Sequence, residues 1–315
     1  MRGLYSALIK HHALTLGFDA CGVSPPDGLP ELAFFEEWLA RGYAGEMAYL
    51  ARSAERRADA RRVLPSARAV IVTATNYNSA RPYSTECADP QRAQIARYAW
   101  GEDYHEIIGR RHDALVAWMR TQADEPFEAR AYVDTGPVQE RVYARHAGVG
   151  WIGKNCCVIN ETLGSWIFLG AIITSLRLDF DAPALDQCGS CTLCLEACPT
   201  QALVAPAVLD STRCVSYLTI ERRGELPADV GADIGSHVYG CDICQEVCPW
   251  NAVAPVSHDP AWQPRAAWDR RSLQDLDALS PDEMQVALSG SAMRRAKDEG
   301  LRRNIRIARQ NAERA

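Results

Sequence analysis

Hydrophobic positions in the first 180 residues follow helical spacing in some segments and strand-like spacing in others. Apolar side chains recur every three to four residues in LYSALIKHHALTLG, ELAFFEEWLARGY, EDYHEIIGRRHDALVAWMRTQ and VQERVYARHAG, which predicts amphipathic helices. Apolar and β-branched runs in AVIVTATNY, ARAYVDTG, CCVIN and SWIFLGAIITSL predict strands, with ARAYVDTG ending at Asp134. This alternation predicts a mixed α/β (α+β) domain over 1–180, a normal size for one hydrophobic core.

The pattern changes twice after that domain. Residues 181–255 are dominated by Cys, Pro and short segments, and from 256 to 315 the chain is polar and helical. Lys10, His11 and His12 interrupt the N-terminal apolar stretch, so it lacks the core of a signal peptide. The longest apolar run is too short to span a bilayer. We therefore predict a cytoplasmic protein without membrane contact, with three parts over 1–180, 181–255 and 256–315.

Charge and cysteine content narrow the function classes. The net charge of −6 argues against indiscriminate nucleic-acid binding, although it leaves room for a local basic patch. Twelve cysteines are many for a reducing compartment, where clustered thiols bind metal more often than they form disulfides. Eight of the twelve lie between positions 188 and 248. The composition thus directs attention to a metal centre.

Two cysteine runs have the spacing of iron–sulfur ligands. Residues 188–199 read C-x2-C-x2-C-x3-C-P, the bacterial ferredoxin run, in which the fourth cysteine binds the other cluster. The second run, 241–249, lacks its first member because Val238 stands there, and Cys214 is the unassigned cysteine nearby. We predict two [4Fe-4S] clusters, one bound by Cys188, Cys191, Cys194 and Cys248 and the other by Cys198, Cys214, Cys241 and Cys244.

Zinc is the alternative for these cysteines, as in a zinc ribbon. Zinc does not require three cysteines in x2-x2 succession, and it leaves the repeated Cys-Pro unexplained. The spacing therefore favours a ferredoxin-like domain with two clusters over 181–255. Clusters in series transfer single electrons, but a ferredoxin alone would not need an α/β domain before it.

Polar residues follow several predicted strands, where ligand contacts are common in α/β folds. Asp134 stands out because an acid at a strand end, followed by Gly-Pro, faces a cavity and could donate a proton. The alternative is that Asp134 is the N-cap of the next helix or an aspartate of the turn before it. His105 nearly completes a D-x-H-x-x-G cobalamin motif, but Gly109 comes one place late. We therefore interpret His105 as a partly buried helix residue.

The C-terminal segment is basic. Between positions 294 and 314 it carries eight basic residues against three acidic ones, typical of a solvated helix face but also suited to RNA phosphates. No Rossmann G-x-G-x-x-G sequence occurs, which argues against a nicotinamide bound in that manner.

Several motifs together resemble one known family, the epoxyqueuosine reductases of tRNA modification. They are RYAWGEDYH, VDTGPVQE, AGVGWIGKN, GSWIFLG, DQCGSCTLCLEACPTQAL, CVSYLTIE and YGCDICQEVCPWN. The resemblance implies a cobalamin-binding α/β domain, a two-cluster ferredoxin domain and C-terminal helical repeats that help to hold tRNA. Many members continue through further repeats, whereas this sequence stops at 315, so we expect 256–315 to be a shortened version of that region.

The resemblance also implies the chemistry. An epoxide on the modified wobble base is reduced to an alkene with loss of water, at the end of queuosine synthesis. Electrons from an external low-potential donor pass through the clusters to cobalamin, whose reduced cobalt would attack the substrate. Asp134 matches the family's proton donor, and the positions of Arg57, Tyr98, Asp134, Lys154 and Asn155 suggest cofactor contacts. The expected partner is tRNA with epoxyqueuosine in its anticodon loop, bound by a monomer.

Two other functions fit the same sequence. One is a reductive dehalogenase-like corrinoid and iron–sulfur reductase of a small molecule, which would leave the basic C-terminal segment without a function. The other is an electron-transfer protein whose first domain only docks a partner. Bound corrinoid separates the second from the rest, and turnover of epoxyqueuosine in tRNA separates the first.

Overall fold

The computed structural model describes residues 2–314, so the predicted outer limits at 1 and 315 lie outside the described residues. The elements of the first 180 residues are α1 (Arg2–Thr15), β1 (Ala20–Ser24), α2 (Phe34–Ala40), α3 (Ala48–Arg52), α4 (Ala54–Arg57), β2 (Ala69–Asn76), β3 (Gln94–Ile95), α5 (Tyr104–Gln122), β4 (Ala129–Tyr132), α6 (Glu140–His146), β5 (Trp151–Ile152), β6 (Val158–Ile159) and β7 (Ile167–Thr174). Strands and helices alternate through this region, which confirms the predicted mixed α/β class.

The central sheet has the strand order β1-β2-β7-β4, and every neighbouring pair is antiparallel. Strand β2 is buried along its whole length, as its β-branched run predicts. Its side chains alternate between two cores: Val70 and Val72 pack with α6, while Ala69 and Ile71 pack with α1 and α5. The sheet is therefore covered by helices on both faces.

The local predictions differ from the structure at three places. Strand β1 is absent from the predicted elements, because its five residues include a glycine and only a short apolar stretch. The helix predicted from position 31 begins as a 3-10 turn over Pro30–Ala33, and α2 starts only at Phe34. Strand β4 ends at Tyr132 rather than Asp134, because the backbone of Asp134 turns into the left-handed region with φ of 57°.

The cysteine-rich part consists of short elements. They are α7 (Leu193–Glu196), β8 (Leu203–Ala205), β9 (Val208–Leu209), α8 (Val215–Ile220), α9 (Ala228–Asp233), β10 (His237–Tyr239) and α10 (Ile243–Glu246). Strand β10 pairs in parallel with β3 of the preceding region. At Gly164 a β-carbon would lie 2.2 Å from Oδ1 of Asn251, so the two regions approach too closely there for any other residue.

The C-terminal helices pack onto both preceding regions. They are α11 (Leu273–Asp277), α12 (Pro281–Leu288) and α13 (Lys297–Ala312). Leu301 and Ile305 of α13 share a core with Ile95 of β3 and with Val238 and Tyr239 of β10. This region is thus part of the folded body. No helix within residues 2–314 combines the length and the apolarity that a bilayer crossing requires.

Candidate active site and cysteine centres

Asp134 lies in the loop between β4 and α6, and its side chain is 67% exposed. Its positive φ is uncommon for a residue other than glycine, although Asp tolerates this region better than most. Two residues later, a β-carbon on Gly136 would lie 2.4 Å from the ring of Tyr132. The N-cap of α6 is Gln139, so the capping alternative for Asp134 is wrong. Its carboxylate therefore does not cap α6.

The first turn of α5 faces this carboxylate. The hydroxyl of Tyr104 donates to Oδ2 of Asp134 at 3.0 Å, and Nε2 of His105 lies 3.5 Å from the same oxygen. Nδ1 of His105 lies 2.6 Å from Oδ1 of Asp103, a buried side chain that also accepts the backbone N–H of His105 as the N-cap of α5. The imidazole is thereby held between two carboxylates.

The position of α5 explains why these groups meet. The ring of Tyr104 stacks on Phe168 of β7 with a centroid distance of 4.5 Å and an angle of 6°. It also stacks on His105 at 4.0 Å. Because β7 pairs with β4, this packing places the start of α5 beside the loop that follows β4. Sequence reasoning identified Asp134 but assigned His105 no role, since the contact spans about thirty residues and depends on that packing.

Protonation in this group follows from its charges. Desolvation acts against the ionised form of Asp134, but the contact with His105 and the hydroxyl of Tyr104 lower its pKa below the usual range. Desolvation likewise opposes the charged form of His105, but Asp103 and Asp134 raise its pKa to about 9. At neutral pH the structure therefore holds an imidazolium between two carboxylates.

Glu140, at the start of α6, is a second acid near Asp134. Desolvation and the charge of Asp134 raise the pKa of Glu140 to about 8, against the opposing effect of Arg57 and Arg141. Oε1 of Glu140 is buried and has no hydrogen-bond partner among residues 2–314. Such an orphan polar atom calls for a partner that the chain itself does not supply. Nothing in the sequence pattern distinguishes Glu140 from an ordinary acid in the first turn of a helix.

Two of the predicted cofactor contacts lie on the Asp134 side. Nη1 of Arg57 donates to the backbone oxygen of Val138 at 2.8 Å, which ties α4 to the loop after Asp134. The hydroxyl of Tyr98 donates to that of Tyr239 at 3.3 Å, and burial raises the pKa of Tyr98 well above its usual value. The ring of Tyr98 also meets that of Tyr104 edge-on at a centroid distance of 6.0 Å, so Tyr98 borders the same site.

The other two contact the cysteine runs. Nζ of Lys154 donates to the backbone oxygens of Gly189 and Cys191, at 2.6 and 2.8 Å. Nδ2 of Asn155 donates to the backbone oxygen of Cys244 at 3.2 Å. The segment 154–155 therefore links the α/β region to both runs.

The thiols of the predicted cluster ligands affect one another's pKa values within the two predicted sets. Burial raises the pKa of Cys194, and the thiols of Cys188, Cys248 and Cys191 raise it further. Burial also raises the pKa values of Cys214, Cys241 and Cys244; Cys198 adds to the rise at Cys214, and Cys214 adds to it at Cys241 and Cys244. These mutual effects follow the two predicted ligand sets, with Cys198 and Cys214 both in the second. As placed, the described residues include no group of three or more His, Cys, Asp or Glu side chains that could hold a metal ion, so the assignment of ligands to the two sets stays a prediction.

Trp151 contacts the first set directly, although sequence reasoning gave it no role. Its indole N–H donates to Sγ of Cys188 at 3.5 Å, and its ring meets Trp250 edge-on at 4.9 Å. The polar residues after β2 serve a different purpose, because Asn76 and Asn78 donate to backbone oxygens at 254–255. These bonds hold the chain just beyond the second cysteine run.

Two family models match this chain. Residues 187–251 match a 4Fe-4S double cluster binding domain, and residues 57–135 match the model described as epoxyqueuosine reductase QueG, DUF1730. The first match spans every predicted cluster ligand, including Cys214 between the two runs. The second ends just after Asp134.

Full-length relatives carry the same family name. An epoxyqueuosine reductase of Gloeobacter violaceus is 44% identical over 310 residues, covering 96% of this chain and 95% of the relative. One of Xanthomonas campestris is 39% identical, covering 98% and 87%.

Solved structures agree. An epoxyqueuosine reductase bound to a tRNA-Tyr stem loop modified with epoxyqueuosine superimposes with a TM-score of 0.86 at 30% identity, covering 98% of this chain and 82% of that one. The Bacillus subtilis enzyme, in a state whose aspartate-bearing catalytic loop is swung out of the active site, gives a TM-score of 0.86 at 28% identity, with the same coverage.

Fold and site together define an oxidoreductase with a 4Fe-4S domain, in which an exposed acid stands in an α/β region joined to the cysteine runs. The sequence identity of 44% to an epoxyqueuosine reductase extends over 96% of this chain, which narrows this class to one family. This chain belongs to the epoxyqueuosine reductase family.

Proposed function

We propose that this protein reduces epoxyqueuosine to queuosine at the wobble position of tRNA. The reaction consumes two electrons and two protons, converts the epoxide to an alkene and releases its oxygen as water. The observation that carries this proposal is the exposed carboxylate of Asp134, held by Tyr104 and His105 in a chain of the epoxyqueuosine reductase family.

The eight cysteines in two sets are proposed to hold two [4Fe-4S] clusters. Four thiols in each set match the ligand requirement of one cluster. In the crossed pattern, the first run contributes Cys198 to the second cluster, and the second run returns Cys248 to the first. In this pattern each cluster would be bound by both runs. The two clusters would therefore lie close enough together for an electron to pass between them. An external low-potential donor is proposed to supply them.

Cobalamin is proposed as the cofactor of the α/β region. When bound, it would supply a strongly reducing metal centre that accepts electrons from the clusters and acts on the epoxide carbon. The buried, unpartnered Oε1 of Glu140 fits the amide groups that fringe a corrin ring. Arg57 and Tyr98 border the same site, while Lys154 and Asn155 would set its distance from the cysteine loops.

Asp134 is the proposed proton donor. Its carboxylate is open on one side and hydrogen-bonded on the other, so a proton on Oδ2 could pass to the departing oxygen. Asp134 lies two residues beyond the end of β4, in the left-handed backbone region, and its side chain is 67% exposed.

The tRNA surface is proposed to include exposed Arg294, whose side chain is 62% accessible. Arg294 lies 3.6 Å from a carboxylate oxygen of Asp103, and many other arginines of this region also have partners within the chain. Arg302, Arg306 and Arg309 form ion pairs with acidic side chains. Arg303 is buried and donates to backbone oxygens of residues 218, 222 and 224. Most arginines of the basic segment thus hold α13 against the rest of the protein. Fewer arginine side chains are therefore available to bind RNA phosphates.

The remaining organisation follows the sequence prediction. We propose a cobalamin-binding domain over 1–180, a ferredoxin-like domain over 181–255 and a short helical region over 256–315, acting as a cytoplasmic monomer.

The deciding experiment uses nucleosides from a strain that lacks this protein. Accumulated epoxyqueuosine, cleared by returning the wild-type gene, is the expected result; normal queuosine levels in the deletion strain would refute the function. In vitro, the purified protein reconstituted with iron, sulfide and cobalamin should convert an epoxyqueuosine-containing stem loop under a chemical reductant. Corrinoid binding without conversion would instead favour a small-molecule reductase, and failure to bind corrinoid would favour an electron-transfer protein.

A further inference from the structure

The proposed donor lacks a proton at rest. The pKa of Asp134 is lowered by its contacts with His105 and Tyr104, so its carboxylate is ionised at neutral pH. The neighbouring imidazole is in the opposite state, because two carboxylates stabilise its charge. A donor that must deliver two protons in each turnover therefore needs a resident source beside it.

We infer that His105 is the proton-holding residue of this site, and that it supplies the departing oxygen through Asp134 while Asp103 fixes its orientation. The inference rests on the proposed function for its substrate. Two distances define the proposed path of the proton. Oδ1 of Asp103 lies 2.6 Å from Nδ1 of His105, and Oδ2 of Asp134 lies 3.5 Å from Nε2 of the same ring. Nε2 is buried and makes no hydrogen bond within residues 2–314, so proton transfer requires the 3.5 Å separation from Oδ2 to shorten to hydrogen-bond distance.

The proton passes from His105 to Asp134 and then to the substrate oxygen, with one bond to hydrogen broken for each one formed. The Nε2–H bond of His105 breaks while an O–H bond forms on Oδ2 of Asp134, leaving a neutral imidazole and a neutral carboxyl. That carboxyl then protonates the substrate oxygen and returns to the carboxylate. His105 then regains a proton from solvent; its side chain is 29% exposed, but Nε2 itself is buried, so this step requires Asp134 to move away from the imidazole. Two such cycles supply the two protons of the reaction, and the electrons come from the reductant already required.

Asp103, on the side of the imidazole opposite Asp134, sets the orientation of the His105 ring. Asp103 is 2% exposed, and its carboxylate accepts from both the ring and the backbone N–H of His105. Nη2 of Arg294 lies 3.6 Å from the other oxygen of Asp103, which balances part of its charge. This arrangement fixes the proton-bearing Nε2 toward Asp134, as second carboxylates do for catalytic histidines.

Other ionisable groups surround the pair. Those facing Asp103, His105 or Asp134 from nearby elements are Tyr49, Tyr98, Tyr104, Glu140, Arg141 and Arg294. The three tyrosines have raised pKa values and remain neutral at neutral pH. Glu140 becomes ionised near pH 8, and its added negative charge near Asp134 favours retention of the proton on His105.

Glu140 is the competing proton source, because it is also protonated at neutral pH. Neither group is hydrogen-bonded to Asp134 within residues 2–314, but Nε2 of His105 lies 3.5 Å from Oδ2 and forms an ion pair with it when protonated. The two sources predict different pH limits for turnover: a fall near pH 8 if Glu140 supplies the proton, and a fall near pH 9 if His105 does.

The first test needs no turnover. The imidazole of His105 is followed by NMR as pH is varied, with its signal assigned through His105→Gln. We expect titration near pH 9 in the wild-type protein. In Asp103→Asn we expect a value lower by about one unit or more, since Asn still caps α5 but carries no charge. Titration of wild-type His105 near or below its ordinary value of about 6.5 would overturn the inference.

The second test measures single-turnover conversion of the modified stem loop against pH in the reconstituted holoenzyme. His105→Gln should slow it by about 10–100-fold and remove the fall above pH 9. His258→Gln, an exposed histidine elsewhere, should leave both rate and profile unchanged. A wild-type rate and profile in His105→Gln would refute the relay, as would loss of the alkaline fall in Glu140→Gln alone. If wild-type protein shows the expected titration but no turnover, the proposed function fails rather than the relay.

Discussion

The side-chain amide of Asn251 holds the loop at Ser165 across the boundary between the cysteine-rich and α/β regions. Oδ1 of Asn251 accepts the backbone N–H of Ser165 at 2.6 Å, and its Nδ2 donates to the hydroxyl of Ser165 at 2.8 Å and to the backbone oxygen of Gln245 at 2.7 Å. Asn251 is 2% exposed. The residue after Cys-Pro-Trp thus joins the second cysteine run to the strand region that precedes β7.

Asn251→Ala should destabilise this junction. It leaves the backbone N–H of Ser165 and the oxygen of Gln245 without partners, at a cost of about 2–4 kcal/mol. The measurement is urea unfolding followed by tryptophan fluorescence. Gln274→Ala, an exposed change on α11, should stay within about 0.5 kcal/mol of wild type. Equal midpoints for the two variants would contradict the structural role of Asn251.

Gly136→Ala should disturb the Asp134 loop without affecting the clusters. The new β-carbon would lie 2.4 Å from Cγ and Cδ1 of Tyr132, near the fixed end of that side chain, so the loop must shift. A misplacement of about 1 Å at a reacting group can cost on the order of 100-fold in rate. Turnover and iron content are measured together. Gly109→Ala is the control: its β-carbon meets nothing within 4 Å, so full activity is expected there.

Asp134→Asn should retain both clusters and the fold but lose most turnover. Asn also tolerates the left-handed backbone at this position, so the loop geometry is preserved while the proton-carrying oxygen is lost. The expected decrease is about 10²–10⁴-fold in the rate of queuosine formation. Asp113→Asn, on the exposed side of α5, serves as the control. Near-normal turnover in Asp134→Asn would remove the residue from the acid role.

Cys214→Ala should remove one cluster of two. The charge of Cys198 raises the pKa of Cys214, and the charge of Cys214 raises the pKa values of Cys241 and Cys244. Loss of Cys214 leaves this predicted set with three thiols. Iron content should fall from about eight to about four per chain. Cys87→Ala, an exposed thiol outside both sets, should keep the full content. Full iron retention in Cys214→Ala would refute the crossed assignment.

Local patterns predicted most of the fold. The eight-residue apolar run of β2, the amphipathic spacing of α5 and the glycine that ends α1 depend on neighbours within one turn or one strand. Strand β1 escaped notice because a short, glycine-containing edge strand carries little such signal. The end of β4 was misplaced because a left-handed residue breaks a strand without changing its hydrophobic pattern.

The sequence by itself identified the 4Fe-4S domain, because the two cysteine runs have a spacing that is local to the chain. It also singled out Asp134, an acid that precedes Thr-Gly-Pro after a predicted strand. Only the tertiary structure decided what surrounds that acid. His105 lies far before it in the chain, and their contact requires α5 to pack on β7 while β7 pairs with β4. Proximity of this kind arises from three-dimensional packing, which no periodicity along the chain records.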